Sequence, residues 1–573
     1  MNANQPIYTE DNNCQDCYKC VRHCPVKAIR ISNNCASVID ELCIACGNCV
    51  EVCPVGAKKV RSDIEVIKHL LAKGKKVILS LAPSWVSSFP GVSAQTMISQ
   101  LKQMGFYAVS ETALGAELVN RHLRSELLAA GPGISLSSAC PTVVEYIRRH
   151  RQEYTPYISN VFSPLIAHAR YLKSYYGPDV DVVFAGPCIA KKREADSQRK
   201  TLSAAITFCE LSHWMEEQWF NPEPEDACFE PVEAVSGSLY PVEGGMIAGL
   251  NNGKSENALQ FMSFSGLEAM EGVLNKLDDW KPNKRIFIEL LSCPGGCING
   301  PAMPDKSSMG FRYSNVLDAS AGKIQSIGEG KELVHSVSID TTYEALKNPC
   351  AEKKYAAADI MESLRAVGKQ TSKDELNCGG CGYESCQEFA VAMLEGKAER
   401  NMCVSYMRRV AHDKASVLLQ RMPSGVMIVD ENLKVIECNI NMARMLGEEV
   451  QMIYEVNPGL PAADVKKLVP FHRLFEQVLT SGKDLLDKEF KLKNRLLKVS
   501  VFSVQTHKIV CAIARDLYNP EVRTDEVVKR TRSIITENLG TVQKIAYLLG
   551  ENASKTETSL NSILEILTQN DDE

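Results

Sequence analysis

Short apolar runs of strand length recur along the chain, separated by stretches with helical spacing. Lys76-Val-Ile-Leu-Ser-Leu-Ala82, Val180-Asp-Val-Val-Phe-Ala185 and Arg285-Ile-Phe-Ile-Glu-Leu290 each read as a buried strand. Helical patterns precede the first at His69-Leu70 and the second from Ala167 to Tyr175. This alternation predicts an α/β domain over residues 63–350. Further on, Pro423 to Asn439 has the form strand, turn, strand, and Asn441 to Leu446 begins a helix. Lys488–Lys493, Leu496–Val504 and Ile509–Ala514 are alternating or apolar strand-like runs, so residues 416–517 read as an α+β domain. Ile535, Leu539, Val542, Ala546, Leu549, Ala553, Leu560, Ile563 and Leu567 then recur at heptad steps, with Thr556 filling the gap. The segment 518–573 therefore predicts a helical tail with a seam for another helix, interrupted at Gly550. Packing of that helix on its own domain is the alternative.

At 573 residues the chain is too long for one core, and about three to five domains are expected. With 45% hydrophobic and 23% charged residues, it reads as globular protein. A net charge of -6, and no basic run beyond Lys191-Lys192-Arg193, argue against a nucleic-acid binder. No uncharged apolar run approaches the ~18 residues that span a bilayer. The start Met-Asn-Ala-Asn-Gln lacks a basic and an apolar region, so a cytoplasmic protein without a membrane span is the expectation.

The 22 cysteines change the picture. Many recur in tight spacings beside Gly and Pro, which favours metal ligation over disulfides. Cys14-x-x-Cys17-x-x-Cys20-x-x-x-Cys24-Pro25 is followed by Cys43-x-x-Cys46-x-x-Cys49-x-x-x-Cys53-Pro54. This is the run of bacterial two-cluster ferredoxins, in which the fourth cysteine serves the other cluster. The expected sets are Cys14, Cys17, Cys20 and Cys53, then Cys43, Cys46, Cys49 and Cys24, in a ferredoxin-like head over 1–62. A pair of zinc knuckles would need neither the triple spacing nor the trailing Cys-Pro. A third set, Cys378-x-x-Cys381-x₄-Cys386 with distant Cys403, lies in 351–415. It resembles the small Fe-S domain of Rnf-type electron-transfer subunits and corrinoid proteins, which implies one further [4Fe-4S] cluster; zinc is the alternative. Cys35, Cys209, Cys228, Cys350, Cys438 and Cys511 are left as core or surface thiols.

Three cysteine loops remain in the α/β domain: Leu136-Ser-Ser-Ala-Cys-Pro141, Gly186-Pro-Cys-Ile-Ala-Lys-Lys-Arg-Glu-Ala-Asp196, and Glu289 to Gly300 with its Cys293-Pro-Gly-Gly-Cys297. Together they resemble the active-site loops of [FeFe]-hydrogenases. Lesser matches run through Gly115-Ala-Glu-Leu118, Ser163-Pro164 and Gly266 to Leu277. The resemblance implies an H-cluster, a [4Fe-4S] cubane joined to a di-iron unit carrying CO, cyanide and an aza-dithiolate. It places Cys140, Cys188 and Cys293 on the cubane, Cys297 as the bridge to the di-iron unit, and Lys191 as donor to a cyanide. The glycines Gly295 and Gly296 are expected to let the backbone pass close to the cluster.

The chain departs from the active enzymes at three places. A proton-relaying cysteine precedes their first cubane ligand, where this chain has Ala139; Gly186 and Leu291 stand where methionine is usual. Residues 416–517 resemble a PAS domain, with His472 and His507 read as ordinary rather than haem-ligating. The whole is similar to the sensory branch of the family. That resemblance implies slow turnover of H₂ and protons, electron exchange with a partner such as ferredoxin, a signalling partner protein, and pairing of two copies through the PAS-like domain and tail. A slow ferredoxin hydrogenase and a non-enzymatic Fe-S scaffold are the alternatives. The predicted architecture is multidomain α/β: ferredoxin-like head, hydrogenase-type core, small Fe-S domain, PAS-like domain and helical tail.

Overall fold

The computed structural model describes residues 5–220, 227–251, 259–304, 307–325, 337–347, 353–492, 495–518 and parts of 531–539. The chain forms two compact units, Met1–Tyr406 and Met407–Glu573. In the first, the head contains β1 (Ile7–Thr9), β2 (Ile29–Ser32), β3 (Cys35–Val38) and β4 (Lys58–Val60). β1 pairs antiparallel with β4, and β2 with β3. Each cysteine triplet runs into one helical turn, Lys19–Arg22 or Asn48–Glu51, entered through a left-handed residue, Tyr18 or Gly47. The two halves thus repeat in structure as they do in sequence.

The large domain holds β5 (Val77–Leu81), β6 (Ala108–Glu111), β7 (Gly133–Leu136), β8 (Asp181–Gly186), β9 (Ala204–Thr207), β10 (Leu259–Ser265) and β11 (Arg285–Leu291). The three strands expected from the apolar runs are β5, β8 and β11. They do not share a sheet. A parallel sheet of order β6-β5-β8-β9 contains the first two, and a second parallel sheet of order β10-β11-β7 contains the third. β6 and β7 are short and carry serine, so nothing in their hydropathy marks them as buried strands. Helices Ala113–Ala129 and Pro164–Tyr176 pack backbone to backbone, because a Cβ at Gly115 would lie 2.0 Å from the Pro164 carbonyl oxygen.

The core is not wholly apolar. His168 is fully buried, with Nδ1 2.8 Å from Ser80 Oγ and Nε2 3.0 Å from Ser110 Oγ. Burial holds it neutral, pushing its pKa from 6.5 down to about 3. The unfolded chain binds a proton near pH 6.5 that the folded chain refuses until about pH 3. The stability this neutral ring contributes is therefore complete above pH 6.5 and is lost as pH falls below it. Large-domain stability should drop by about 1.4 kcal/mol per pH unit below 6.5 on this account. Thermal unfolding of wild type and His168→Gln between pH 7 and 5 measures it; parallel pH curves would refute the assignment.

Lys192 is buried with Asp63 (3.1 Å), Glu210 (2.9 Å) and the Ala205 carbonyl oxygen (2.9 Å) around its ammonium. Arg61 clasps Asp63 and Asp196 beside it. The network ties the chain leaving β4 to helices Ala190–Ser197 and Phe208–Glu216. Lys192→Met should cost about 3–5 kcal/mol, since it removes the cation that Glu210 pairs with and leaves Asp63 to Arg61. Adding Asp63→Asn and Glu210→Gln should recover most of it in the large-domain melting transition.

Residues 357–403 pack into the hydrophobic core of the head: Val21, Ile29 and Ile31 share one buried cluster with Phe389, Met402 and Cys403. The third cysteine segment is therefore no free-standing domain. The boundary expected at 415 falls inside helix Val404–Arg421, which also spans the division between the two units.

The second unit carries β12 (Gly425–Asp430), β13 (Val435–Cys438), β14 (Leu485–Leu492), β15 (Arg495–Gln505) and β16 (Ile509–Asp516). They form one antiparallel sheet of order β13-β12-β16-β15-β14, with four helices between β13 and β14. Asn439, almost fully buried, organises the opening hairpin. Its Oδ1 accepts from Val426 N and Met442 N, and its Nδ2 donates to the Leu419 and Ser424 carbonyls. His472 and His507 each place Nδ1 against a backbone carbonyl oxygen, of Val469 and Leu479. Cys438 and Cys511 are buried in this unit. Of the heptad seam, Ile535 and Leu539 are described and exposed, whereas Val542 to Leu567 lie outside the described residues. No helix among the described residues is long and apolar enough to cross a membrane.

Candidate functional site

The cysteines of the large domain follow the carboxyl ends of three strands, where α/β folds build sites. Cys140 follows β7 and caps helix Pro141–His150, with Pro141 in its first turn. Cys188 follows β8 and precedes helix Ala190–Ser197. Cys293 follows β11, and Cys297 opens a single 3₁₀ turn. One thiol thus hangs from the four-stranded sheet and three from the other. All four line one cavity of about 100 Å³, together with Ala139, Lys191 and Glu289.

The cavity is hostile to bare thiolates. Burial pushes Cys188 up to about 11 and Cys297 to about 12, and raises Cys293 well above the ordinary thiol value; neighbouring thiols add to each shift. Lys191 is the cation among them. Burial opposes its charge, but the Glu194 carboxylate at 2.7 Å and the nearby thiols outweigh this and raise its pKa. Its ammonium also donates to Ser163 Oγ at 3.2 Å. Ser292 Oγ lies 3.6 Å from Cys140 Sγ and 3.8 Å from Cys293 Sγ. Four sulfurs converging on one cation-lined, desolvated space is a donor set suited to iron rather than to hydrogen bonding among side chains.

The glycines of the third loop have a different reason from the one expected. A Cβ on Gly296 would lie 2.3 Å from the Pro241 carbonyl oxygen, and one on Gly295 would lie 2.9 Å from Asn299 Nδ2 and Met309 Sδ. Both have positive φ, +75° and +104°. Protein backbone, not only a cluster, forbids side chains here. Gly296→Ala should therefore disrupt the loop even without metal, lowering the large-domain melting temperature of the apoprotein. An unchanged apoprotein melt would return the glycines to a purely cluster-facing role.

In the sequence Glu289 stands only at the head of the third cysteine loop, with no role of its own. It lies 1% exposed on β11, accepting from Gly244 N (2.9 Å), Met246 N (3.2 Å) and Ser263 Oγ (2.8 Å). Burial lifts its pKa to about 7 against those hydrogen bonds. It ties β11 to the start of helix Gly245–Asn251 beneath the cavity. A lone glutamate inside Ile-Phe-Ile-Glu-Leu-Leu was the available signal.

In the head, Cys14, Cys17, Cys20 and Cys53 line one small cavity with Pro54. Burial raises Cys53, but four backbone N–H groups from Val55 to Lys58 outweigh it and lower its pKa. Cys24 crosses over to the second triplet: it adds to the upward shifts of Cys46 and Cys49, which burial dominates, and Cys43 does the same to Cys24. Cys35 lies beside Cys14 and donates to Asp11 Oδ1 at 3.4 Å. In the third set, Cys381 has Cys378 and Cys403 for neighbours. Cys386 is buried at the start of helix Cys386–Leu394, its amide bonded to Asn377 Oδ1 at 2.8 Å.

Residues 75–301 match the family described as iron only hydrogenase large subunit, C-terminal domain. Residues 6–54 match a 4Fe-4S dicluster domain, and residues 374–405 a putative Fe-S cluster family. The chain thus carries an [FeFe]-hydrogenase large-subunit domain and a 4Fe-4S ferredoxin domain. Among curated relatives, iron hydrogenase 1 of Clostridium pasteurianum is 25% identical over 303 residues, 43% of this chain and 53% of the relative. The periplasmic [Fe] hydrogenase large subunit of Nitratidesulfovibrio vulgaris is 24% identical over 37% of this chain and 63% of its own length. The cytosolic Fe-S cluster assembly factor narfl of Danio rerio is 24% identical over 53% of this chain and 85% of its own. A solved [FeFe]-hydrogenase from Chlamydomonas reinhardtii aligns over 50% of this chain and 99% of its own, with 18% identity and a TM-score of 0.37. The chain spans about half to two thirds of the two hydrogenase relatives it matches.

Proposed function

We propose that this is an iron-sulfur protein that senses H₂ or redox state at an H-cluster held by Cys140, Cys188, Cys293 and Cys297, and passes that state to its C-terminal unit. The carrying observation is one cavity that gathers these thiols and Lys191 but presents Ala139 where a proton carrier is needed. The residues fit the group: Cys140, Cys188 and Cys293 would hold its cubane iron as soft thiolate donors, Cys297 would serve the di-iron unit as well, and the Lys191 ammonium, fixed by Glu194 and Ser163, would donate to an anionic ligand. When bound, the H-cluster supplies reversible cleavage of H₂ into protons and electrons. The chain's own part is to seat it, exclude bulk water and withhold the proton relay, because the Ala139 methyl neither gives nor takes a proton.

The head supports electron traffic to this cavity. Its second cysteine loop meets the cluster loops directly: a Cβ on Gly47 would lie 2.5 Å from Pro301 Cβ and 3.0 Å from Ile189 Cδ1. Arg193 donates to the Cys43 carbonyl oxygen, and His150 Nε2 lies 2.9 Å from the Leu42 carbonyl oxygen. The second unit, whose sheet order and Asn439-capped helix resemble a PAS domain, is the relay to a signalling partner and a site for pairing two copies. Coverage of 85% of the Danio rerio assembly factor favours one rival reading, a non-enzymatic Fe-S scaffold.

Anaerobic production with hydrogenase maturation factors, followed by infrared spectroscopy, separates the readings. CO and CN stretching bands are expected; their absence would leave the scaffold. Where bands are present, Ala139→Cys should raise H₂ turnover, the proton relay being worth roughly 10²–10⁴-fold. A fast wild type that the substitution does not improve would defeat the sensor reading.

A further inference from the structure

The third cysteine set has no assigned place in the electron path, and its contacts give one. The loop carrying Cys378 and Cys381 lies against the head's first helical turn, Lys19–Arg22, which runs between Cys17 and Cys24. Arg22 spans the joint: one guanidinium nitrogen donates to the Gly380 carbonyl oxygen at 3.1 Å and the other to the Cys17 carbonyl oxygen at 3.0 Å. Backbone beside Cys17 and backbone beside Cys381 are thus held by a single planar group. Lys27 Nζ donates to the Gly382 carbonyl oxygen at 2.8 Å and lies over the Tyr383 ring, 6.0 Å from its centroid.

The approach is close because it is glycine against helix. A Cβ on Gly382 would lie 2.8 Å from Val21 Cγ1 and 3.1 Å from the Arg22 amide nitrogen, and its φ of +95° excludes most side chains. Two further bonds extend the seam: Ile31 N to the Lys397 carbonyl oxygen (2.9 Å) and Asn33 N to Glu399 Oε1 (2.8 Å). Tyr383, 5% exposed, fills the space between, with both Cys24 and Cys381 near enough to raise its pKa alongside burial. Cys20, Cys24 and Cys403 belong to one buried cluster. The seam has a buried floor of Val21, Gly382 and Tyr383 beneath solvent-facing polar clasps, which is more than tethering requires.

We propose that the centre held by Cys378, Cys381, Cys386 and Cys403 exchanges electrons with the head across the Arg22–Lys27 seam, so that the head is a junction serving both the large-domain cavity and the third centre. Each event is a one-electron transfer between two iron-sulfur centres, one oxidised and the other reduced, with no bond made or broken. The proposal rests on the iron-sulfur reading of the head and third set, and is independent of whether the di-iron unit is loaded.

The test uses full-length protein with its iron-sulfur centres reconstituted anaerobically, without maturation factors. Iron and sulfide are assayed, and the dithionite-reduced protein is examined by electron paramagnetic resonance. Cys378→Ser with Cys381→Ser should lower iron content and sharpen the remaining head signals, because a magnetic neighbour has been removed. Arg22→Ala with Lys27→Met should keep the full iron content yet weaken that coupling and slow reduction of the third centre. Gly382→Val, which wedges the seam, should act in the same direction. A wild-type spectrum equal to the double-serine spectrum plus one isolated centre would overturn the proposal. Iron content unaffected by the double-serine change would overturn it differently, by removing the third centre itself.

Discussion

The buried ammonium of Lys192 is the constraint on which the arrangement of the first unit hangs. Its neighbour Lys191 points to the cluster cavity, while Lys192 turns the other way, to Asp63 and Glu210. Consecutive residues on a helix diverge by about 100°, so helix Ala190–Ser197 can serve two masters only if its rotation is fixed. The ion network fixes it. It does so with the chain segment that leaves the head, and Asp196, at the far end of the same helix, holds Arg61 of that segment. The head's second loop is thereby pressed against Ile189 and Pro301, beside Cys188 and Cys297. A hydrophobic contact of the same area would slide; a desolvated charge with two partners and a carbonyl has one geometry. The gain is in specificity of docking, since buried ion pairs contribute little net stability over apolar packing.

Chemistry was more legible in the sequence than architecture. Cysteine spacing is local, and local patterns survive in one dimension, so the head's two ligand sets could be written down residue by residue. The expectation that Cys24 and Cys53 each serve the other half rests on the same locality, a fourth cysteine before proline having a fixed reach, and the fold sets Cys53 beside the first triplet and Cys24 beside the second. The three large-domain loops could be named but not placed, because nothing in the apolar runs says that β8 and β11 lie in different sheets. Strands such as Ala108–Glu111 and Gly133–Leu136 are too short and too polar to announce themselves. Lys192 was invisible for a related reason, whereas Glu289 was marked only by standing alone in an apolar run. A charge in a sequence reads as surface by default, and only the tertiary fold reveals that its partners come from more than a hundred residues away, as with Asp63.

The glycines make the same point from the other side. Gly295 and Gly296 were readable as obligatory, yet the cause assigned to them was a cluster, whereas the nearest obstacle to a side chain on Gly296 is the Pro241–Val242 backbone. Gly47, Gly115 and Gly382 repeat the pattern at the head–core joint, between two helices and at the third cysteine loop. At Gly115 the missing Cβ lets two backbones meet, at Gly382 it admits Val21 and the Arg22 amide, and at Gly47 it admits the side chains of Pro301 and Ile189. An iron-sulfur protein must keep its centres close and dry, and close approach of backbone is the cheapest way to shorten the path between them.

This economy bears on the proposed sensing role. A catalyst needs protons to arrive as fast as electrons, and the cavity wall at Ala139 works against that. A reporter needs only that the oxidation state of the buried centre equilibrate with others and that something downstream read it. The first unit meets that need with rigid joints: ion network, glycine contacts and the Arg22 clasp hold three cysteine-bearing regions in one packed body. Rigidity of this kind would fix electronic coupling between centres; in the second unit Asn439 gathers four backbone groups, from the segment preceding β12 through to the first helix after the hairpin.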